Sequence, residues 1–286
     1  MMYNKETKNY NYYDILEKGY LSFRKISFSK LKTAECPLKY TLKYIYGFNT
    51  QIENIHLEIG KEIHKLFELT LSDLKNNTDK NSIEIMNILE NGTYKQKFET
   101  QDVISALFNI KKKANILLEK YNFEMEIEKS FNYKLKEFEL LGIFDLLFFN
   151  PKTKQVIIVD HKTGKKIYPN TYFVQGAIYK YIAHNVFNSN NVKFYLNYIV
   201  KNNNGEHLIK VNMEKDKKYE EYLYSIITEK LNKYIKNPFK KEENFLCKYC
   251  EYYEFCQKYK NIEYSNVLEY IISYIDEKLE ELEFAI

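Results

Sequence analysis

The sequence predicts an α/β fold with helices around a central sheet, because the spacing of its apolar residues changes along the chain. Apolar residues recur at helical spacing over residues 55–74. At Phe123 the period changes to two, and residues 138–149 are almost continuously apolar, as expected of a strand buried on both faces. Turn-forming residues at 150–154 separate this strand from apolar residues 156–159, which predicts a hairpin of two central strands.

The remaining elements follow from caps and breaks in the same pattern. A helix capped by Ser29 should run towards Gly47 with an interruption at Cys36-Pro37, because proline can start a helical segment but cannot continue one. Further helices are predicted at 82–90, 101–121, 172–187 and up to Lys236, with strands at 192–200 and 208–213. We therefore expect an N-terminal extension (1–21), a main domain (22–260) with a helical insertion at about 76–122 and a cysteine-containing segment at 245–258, and a C-terminal helix (261–286).

Composition narrows the function classes only slightly. The 286 residues carry a net charge of +4, below the strongly basic balance of a dedicated nucleic-acid-binding domain. A protein that clusters carboxylates around a metal would have part of its basic surface cancelled in this sum. The chain shows neither the apolar stretch of a signal peptide nor a segment suited to crossing a bilayer, so we expect a cytoplasmic protein with no membrane partner.

Charged residues interrupt both strands of the predicted hairpin. Asp160 and Lys162 share one face of their strand because side chains alternate with a period of two, and Asp145 lies within the other apolar strand. A divalent cation shared by the two aspartates would compensate carboxylates that are otherwise costly to bury, and Lys162 would then face the attacking water. A buried Asp–Lys ion pair without a metal explains the same three residues.

Two further polar positions have ordinary structural explanations when taken alone. His64 lies beside the apolar stripe of its helix, where a histidine is more often a core or surface residue than a ligand. Gln175 and Tyr179 are one helical turn apart, which also fits a simple amphipathic helix.

The four cysteines predict metal binding, because disulfides are rare in a reducing compartment. Cys247, Cys250 and Cys256 lie within ten residues, and Cys36 is the only other cysteine. Four thiolates can hold either a structural zinc ion or a [4Fe–4S] cluster, and coordination chemistry leaves both choices open.

Several short motifs together resemble the RecB-like nucleases of the PD-(D/E)XK superfamily, over about residues 22–258. In chain order they are Ser27-x-Ser29-x-x-Lys32-x-x-x-Cys36-Pro37-Leu38-Lys39-Tyr40, Gly60-x-x-x-His64, Gly142-x-x-Asp145, Asp160-His161-Lys162-Thr163-Gly164 and Gln175-x-x-x-Tyr179. The chain looks like the nuclease domain of RecB and AddB, and like CRISPR-associated iron–sulfur exonucleases. The resemblance implies a restriction-endonuclease-like fold, a mixed central sheet flanked by helices with a helical insertion and an iron–sulfur staple.

The resemblance also implies roles for individual residues. His64, Asp145, Asp160 and the backbone carbonyl of His161 would coordinate Mg²⁺ or Mn²⁺, while Lys162 would orient the water and steady charge on the phosphate. Asp160 stands where many members carry glutamate.

Three further positions match the family less closely or act beside the metal. Glu128 resembles the family's upstream acidic residue, with Glu126 as a rival on the same strand face. Gln175 and Tyr179 would contact the substrate backbone.

By the same resemblance, Cys36, Cys247, Cys250 and Cys256 would bind a [4Fe–4S] cluster in preference to zinc. The cluster would close a loop around almost the whole fold, so its role would be stabilisation of both ends of the chain.

Lysines would supply the contacts with DNA phosphates, because Arg24 is the only arginine. Lys165 and Lys166 follow the predicted catalytic strand and are well placed for this, whereas the run 111–113 is more typical of a solvated helix face. The C-terminal helix either packs on the core or binds a partner. No phosphate-binding G-x-x-x-x-G-K-[ST] loop is present, so any motor would belong to another chain.

Taken together, these features predict a metal-dependent deoxyribonuclease that hydrolyses phosphodiester bonds. We expect an exonuclease acting on single strands or DNA ends in recombination, repair or CRISPR adaptation, with DNA as its partner and a helicase, recombination or CRISPR-adaptation protein acting in trans. The alternative is a catalytically silent DNA-binding or scaffolding subunit of a recombination complex.

Overall fold

A computed structural model describes residues 12–48, 55–212, 218–245, 247–260 and 266–283 of the protein. The chain divides into two compact units. The first contains the segments Met1–Glu53, Leu135–Glu139 and Tyr224–Ile286, and the second contains Asn54–Lys134 and Leu140–Leu223.

Six strands form one mixed sheet among the described residues. They are β1 (Lys25–Ser27), β2 (Glu124–Leu135), β3 (Phe138–Phe149), β4 (Gln155–Lys162), β5 (Asn191–Tyr198) and β6 (Leu208–Lys210). The order is β1-β3-β4-β5-β6, and β2 also pairs with β3. β4 runs antiparallel to β3 and parallel to β5, so the sheet is mixed. The predicted α/β class and restriction-endonuclease-like sheet are confirmed.

The described helices agree with most of the pattern read from the sequence. They are α1 (Tyr12–Phe23), α2 (Phe28–Thr33), α3 (Pro37–Tyr40), α4 (Ile55–Asn76), α5 (Ser82–Asn91), α6 (Thr100–Tyr121), α7 (Phe173–Phe187), α8 (Tyr219–Lys236), α9 (Tyr253–Lys258) and α10 (Val267–Glu283). The predicted strand end at Met213 and the start of the C-terminal pattern at Tyr264 lie outside the described residues. No helix among the described residues is long and apolar enough to cross a membrane.

The predicted cap of α2 is wrong by two residues. Ser27, not Ser29, is the N-cap, with an extended backbone and a side-chain oxygen that accepts a hydrogen bond from Lys30 N at 3.3 Å. Ser29 lies inside the helix, where its carbonyl accepts from Thr33 Oγ1. The helix ends before Cys36-Pro37, as the proline predicts, and a π-helical turn at Thr41–Ile45 follows α3.

In the second unit, the hairpin of β3 and β4 lies at the centre of the sheet. Five consecutive residues of β3, from Phe144 to Phe148, are buried, which confirms a strand covered on both faces. Leu146 lies opposite Val159 of β4. The apolar faces of α4 and α6 belong to the same core, including Leu66 and Ile110. The hairpin is therefore a rigid support for the polar residues that it carries.

In the first unit, the described side chains of α10 pack inwards. Ile271 and Tyr274 are buried, and the Tyr274 ring lies 5.7 Å from the ring of Phe255 in α9. Ile272 on another face is 42% exposed. Of the two roles left open by the sequence, packing within the fold is therefore observed for this part of the helix.

Candidate active site

The two aspartates of the hairpin lie side by side in the sheet. Leu146 is opposite Val159, so Asp145 and Asp160 are the next residues on the two adjacent strands. Both side chains are buried, and Asp145 Oδ2 accepts a hydrogen bond of 2.7 Å from the backbone N–H of His161. Two carboxylates in this position repel each other unless a cation compensates them.

His64 of α4 and Glu128 of β2 complete a group of metal-ligand atoms with Asp145. His64 Nδ1 lies 3.5 Å from Asp145 Oδ2 and 3.8 Å from Glu128 Oε1. The ligand atoms of these three residues all lie within 4.8 Å of one another. Among the described residues, this is the group of side chains found to be close enough together to hold a metal ion. Asp160 lies outside that group, because its carboxylate is engaged by Lys162 and Gln175.

The backbone carbonyl of His161 lies next to the same group. His64 Nε2 is 3.2 Å from His161 O, and in the tautomer with its proton on Nε2 the ring donates a hydrogen bond to this carbonyl. The Nδ1 lone pair then faces Glu128 and Asp145, the orientation that a metal-binding histidine needs.

The structure distinguishes the two candidate glutamates of β2. Glu126 forms an ion pair with Lys75 at 3.0 Å, away from His64. Glu128 has a left-handed backbone, with φ of 47°, which breaks the simple alternation of the strand. The two carboxylates therefore reach different partners although the sequence places them on one face. The geometry favours Glu128 as the ligand.

The shifted pKa values of Asp145 and His64 indicate an excess of negative charge in this cluster of side chains. Burial raises the pKa of Asp145 to about 7, and the neighbouring Asp160 adds to this rise, against the opposing effects of His64 and the His161 N–H. Burial by itself would lower the pKa of His64, but Glu128, Asp145 and Asp160 raise it above its ordinary value. Carboxylate oxygens with one imidazole are suitable donors for Mg²⁺ or Mn²⁺. The residues present therefore fit a divalent metal.

Lys162 and Gln175 form the other half of the site. Lys162 Nζ pairs with Asp160, donates to Gln175 Oε1 at 3.2 Å, and lies 4.2 Å from the centre of the Tyr172 ring. Gln175 Nε2 donates to Asp160 Oδ1 at 2.6 Å and to Tyr179 Oη at 3.0 Å. One amide therefore fixes the aspartate and the lysine relative to each other.

Tyr179 anchors that amide to β3. Its hydroxyl donates to the carbonyl of Ile143 at 2.7 Å, and burial raises its pKa well above the usual value. Gln175 and Tyr179 are both buried, and their polar atoms form hydrogen bonds within the protein. They hold Asp160 and Lys162 in place, and their contact with a substrate backbone stays a prediction.

Three supporting residues were not found from the sequence. The ring of Phe67 stacks on the buried ring of His161 at 3.9 Å, and Asn197 Nδ2 lies 3.0 Å from His161 Nδ1. Asn197 lies opposite His161 where β4 pairs with β5. In the sequence, the sign of its role was a polar residue within an otherwise apolar strand. Tyr172, beside Lys162, ends the short helical turn Pro169–Tyr172, and nothing in the sequence near it marks it as a partner of the lysine.

We expect Gln175→Leu to lower the rate of the reaction that this site performs by roughly ten- to a hundredfold. The substitution keeps the volume but removes the hydrogen bonds that hold two charged groups, and a ten- to hundredfold loss corresponds to about 1.4–2.7 kcal/mol of transition-state stabilisation. Asn185→Leu on the same helix is the matched control, because its amide donates to the carbonyl of Tyr181 and to no charged side chain among the described residues. Equal rates for both variants, measured as kcat, would show that Gln175 does not position Lys162.

The cysteines lie together in the first unit without forming a compact ligand group. Cys250 is joined to Cys247 by a backbone hydrogen bond of 2.8 Å, and Cys36 Sγ lies 3.9 Å from the carbonyl of Lys240. Among the described residues no three of the four Sγ atoms lie within 4.8 Å of one another. A single zinc ion with Zn–S bonds of ~2.3 Å would need a tighter arrangement. The iron–sulfur cluster receives no support from this geometry and stays a prediction.

Comparison with known proteins gives a match to a protein family and similar structures of low sequence identity. A sequence profile described as the PD-(D/E)XK nuclease superfamily matches residues 25–257, which is most of the chain. No curated protein matches. One similar crystal structure, a "putative exonuclease" from Eubacterium rectale, is 16% identical with a TM-score of 0.45, covering 91% of this chain and 95% of that one. Another, of SSO0001, is 14% identical with a TM-score of 0.39, covering 85% and 94%. By the extent of the sequence-profile match, the chain belongs to the PD-(D/E)XK nuclease superfamily.

Proposed function

We propose that the protein is a Mg²⁺- or Mn²⁺-dependent deoxyribonuclease that hydrolyses phosphodiester bonds at the hairpin of β3 and β4. The observation that supports this most strongly is the convergence of His64, Glu128 and Asp145 within 4.8 Å, next to Asp160 and Lys162. An ion pair alone would explain Asp160 and Lys162, but it would not explain two further carboxylates and an imidazole at the same place.

His64, Glu128, Asp145 and, by a change of its partner, Asp160 would hold the metal. When bound, the metal supplies Lewis acidity and lowers the pKa of water. The ammonium group of Lys162 orients the attacking water and opposes negative charge as it develops on the phosphate. Gln175 keeps Lys162 at the correct position relative to Asp160.

We further propose an exonuclease acting on single strands or DNA ends in recombination, repair or CRISPR adaptation. The ordered motifs shared with RecB-like nucleases support this assignment. A helicase, recombination or CRISPR-adaptation protein would act in trans, because the sequence lacks the nucleotide-binding motif G-x-x-x-x-G-K-[ST] that a motor protein would need.

The direct experiment is incubation of the full chain with end-labelled single- and double-stranded DNA and Mg²⁺ or Mn²⁺, or with EDTA. Metal-dependent products that shorten progressively from one end are expected. A wild-type protein that binds DNA but does not cut it with either metal would favour the catalytically silent alternative.

We also propose that Cys36, Cys247, Cys250 and Cys256 bind a [4Fe–4S] cluster. Burial raises the pKa of the Cys256 thiol, and the other three cysteines contribute to the rise while Lys241 opposes it, so the four thiols are close enough to influence one another. A cluster in which each thiolate binds a different iron suits a wider arrangement than one zinc ion does. A cationic group would also stabilise thiolates that burial otherwise keeps protonated.

Protein purified without oxygen should therefore contain about four irons per chain and absorb visible light. Cys256→Ser should lose both iron and absorption and should lower the unfolding temperature, because the cluster links segments far apart in the sequence. Ser225→Ala, a substitution at a hydroxyl outside the cysteine segment, is the control. Stoichiometric zinc without iron would contradict the cluster.

A further inference from the structure

The ammonium group of Lys162 lies against the face of an aromatic ring, in the second unit. Its Nζ is 4.2 Å from the centre of the Tyr172 ring, well inside the ~6 Å over which the π electrons of a ring attract a cation. The same ammonium group pairs with Asp160 and donates to Gln175, which lies three residues after Tyr172. The Lys162 side chain is only 17% exposed, so the attraction to the ring is weakened little by water.

A hydrogen-bonded turn at the start of α7 carries this ring. In the short helical turn Pro169–Tyr172, the carbonyl of Tyr168 accepts hydrogen bonds from Thr171 N at 3.2 Å and from Thr171 Oγ1 at 2.7 Å. The loop between β4 and this turn contains the exposed Lys165 and Lys166, whose contact with DNA phosphates stays a prediction. The turn therefore fixes the backbone from which the aromatic ring reaches the end of the catalytic strand.

The proposed function requires Asp160 in two places. Asp160 is the ion-pair partner of Lys162, and it would turn to the metal during the reaction. With its carboxylate on a divalent cation, Asp160 would attract the ammonium group much less, because the positive charge of the cation opposes that attraction. The carbonyl oxygen of Gln175 and the face of the Tyr172 ring would remain as attractive contacts of the ammonium group.

We propose that Tyr172 is a positioning residue that holds the Lys162 ammonium group beside the reacting phosphate when Asp160 turns to the metal. This inference rests on the proposed function. Because the ring acts through Lys162, its contribution depends on the aromatic face and on the charge of the lysine, and not on the tyrosine hydroxyl. A ring that stacked on a base of the DNA would instead act on substrate binding and independently of Lys162.

The test is a double-mutant cycle, measured by single-turnover cleavage of end-labelled DNA with saturating Mn²⁺. Tyr172→Leu should lower the maximal rate by roughly five- to thirtyfold, as expected for loss of a largely desolvated cation–π contact, and leave the half-saturating DNA concentration within about twofold. Tyr172→Phe should keep at least about half of the wild-type rate, because the aromatic face remains. In a Lys162→Met background, Tyr172→Leu should have no further effect. Tyr219→Leu is the matched control, because its ring lies 4.7 Å from Nζ of Lys180, which does not touch Asp160.

NMR of the full chain with ¹³C-labelled lysine gives a readout that does not depend on cleavage. The ring current of Tyr172 should shift the Hε resonance of Lys162 upfield, and the resonance is assigned by its loss in Lys162→Met. The shift should persist when Mg²⁺ is added, remain in Tyr172→Phe and disappear in Tyr172→Leu.

Three results would overturn the positioning role while metal-dependent cleavage by the wild type upheld the proposed function. They are equal rates for Tyr172→Leu and Tyr219→Leu, an equal loss of rate from Tyr172→Leu with and without Lys162, and loss of the upfield shift on addition of Mg²⁺. A wild-type chain that keeps the upfield shift but cuts no DNA with either metal would refute the proposed function, and with it the role of Tyr172 in the reaction.

Discussion

Replacement of Lys162 by methionine should lower the rate of DNA cleavage by about a thousandfold. Methionine keeps most of the volume of the side chain but removes the charge that opposes the negative transition state, and loss of one such group costs roughly 10²–10³ in kcat. Single-turnover cleavage with saturating Mn²⁺ would measure the chemical step.

The matched control is Lys180→Met on α7. Lys180 is also partly buried and also lies over a tyrosine ring, at 4.7 Å from the centre of Tyr219, but it does not touch Asp160. Its rate should stay close to that of the wild type. A Lys162→Met enzyme that retains a fifth or more of the wild-type rate would remove Lys162 from the mechanism.

Asp145→Asn should abolish metal-dependent cleavage and yet stabilise the metal-free protein at neutral and higher pH. Burial and Asp160 raise the pKa of Asp145 from 3.8 to about 7 in the folded state, so ionisation destabilises the fold progressively as the pH rises from 3.8 to 7. Asparagine avoids this cost, which has an upper limit of about 4 kcal/mol. The NH2 group of asparagine needs a hydrogen-bond partner of its own in this buried site, which reduces the gain to on the order of 1–3 kcal/mol.

Urea unfolding in EDTA at pH 4 and at pH 8 would measure this gain. It should be absent at pH 4, where Asp145 is protonated in the folded state, and fully present at pH 8. The control is Asp73→Asn, because the buried Asp73 carboxylate accepts hydrogen bonds from Thr78 and Asn81 and its replacement should destabilise the protein. Equal or lower stability of Asp145→Asn at pH 8 would mean that the carboxylates do not repel one another.

The fold was predictable where one period dominates a long segment. Strand β3 begins and ends at the predicted residues because twelve consecutive positions are almost all apolar. The cap at Ser27 was missed because Ser27 and Ser29 are both good capping residues, and only the extended backbone of Ser27 selects it. Helix α1 was missed because its surroundings in sequence are polar and rich in tyrosine.

The candidate site was predictable where a polar residue interrupts an apolar strand. Asp145 and Asp160 stand out for this reason, since burial of a carboxylate is costly without compensation. The sequence could not decide between Glu126 and Glu128 as the ligand, because the answer depends on the left-handed backbone of Glu128 in β2.

The most direct test of the metal site compares Glu128→Gln with Glu126→Gln. The two changes are chemically identical and lie two residues apart, but only Glu128 lies near His64 and Asp145. We would measure DNA cleavage as a function of Mn²⁺ concentration. The concentration for half-maximal rate should rise at least tenfold in Glu128→Gln and remain that of the wild type in Glu126→Gln. The same Mn²⁺ dependence in both variants, or cleavage that persists in EDTA, would contradict a metal held by His64, Glu128 and Asp145.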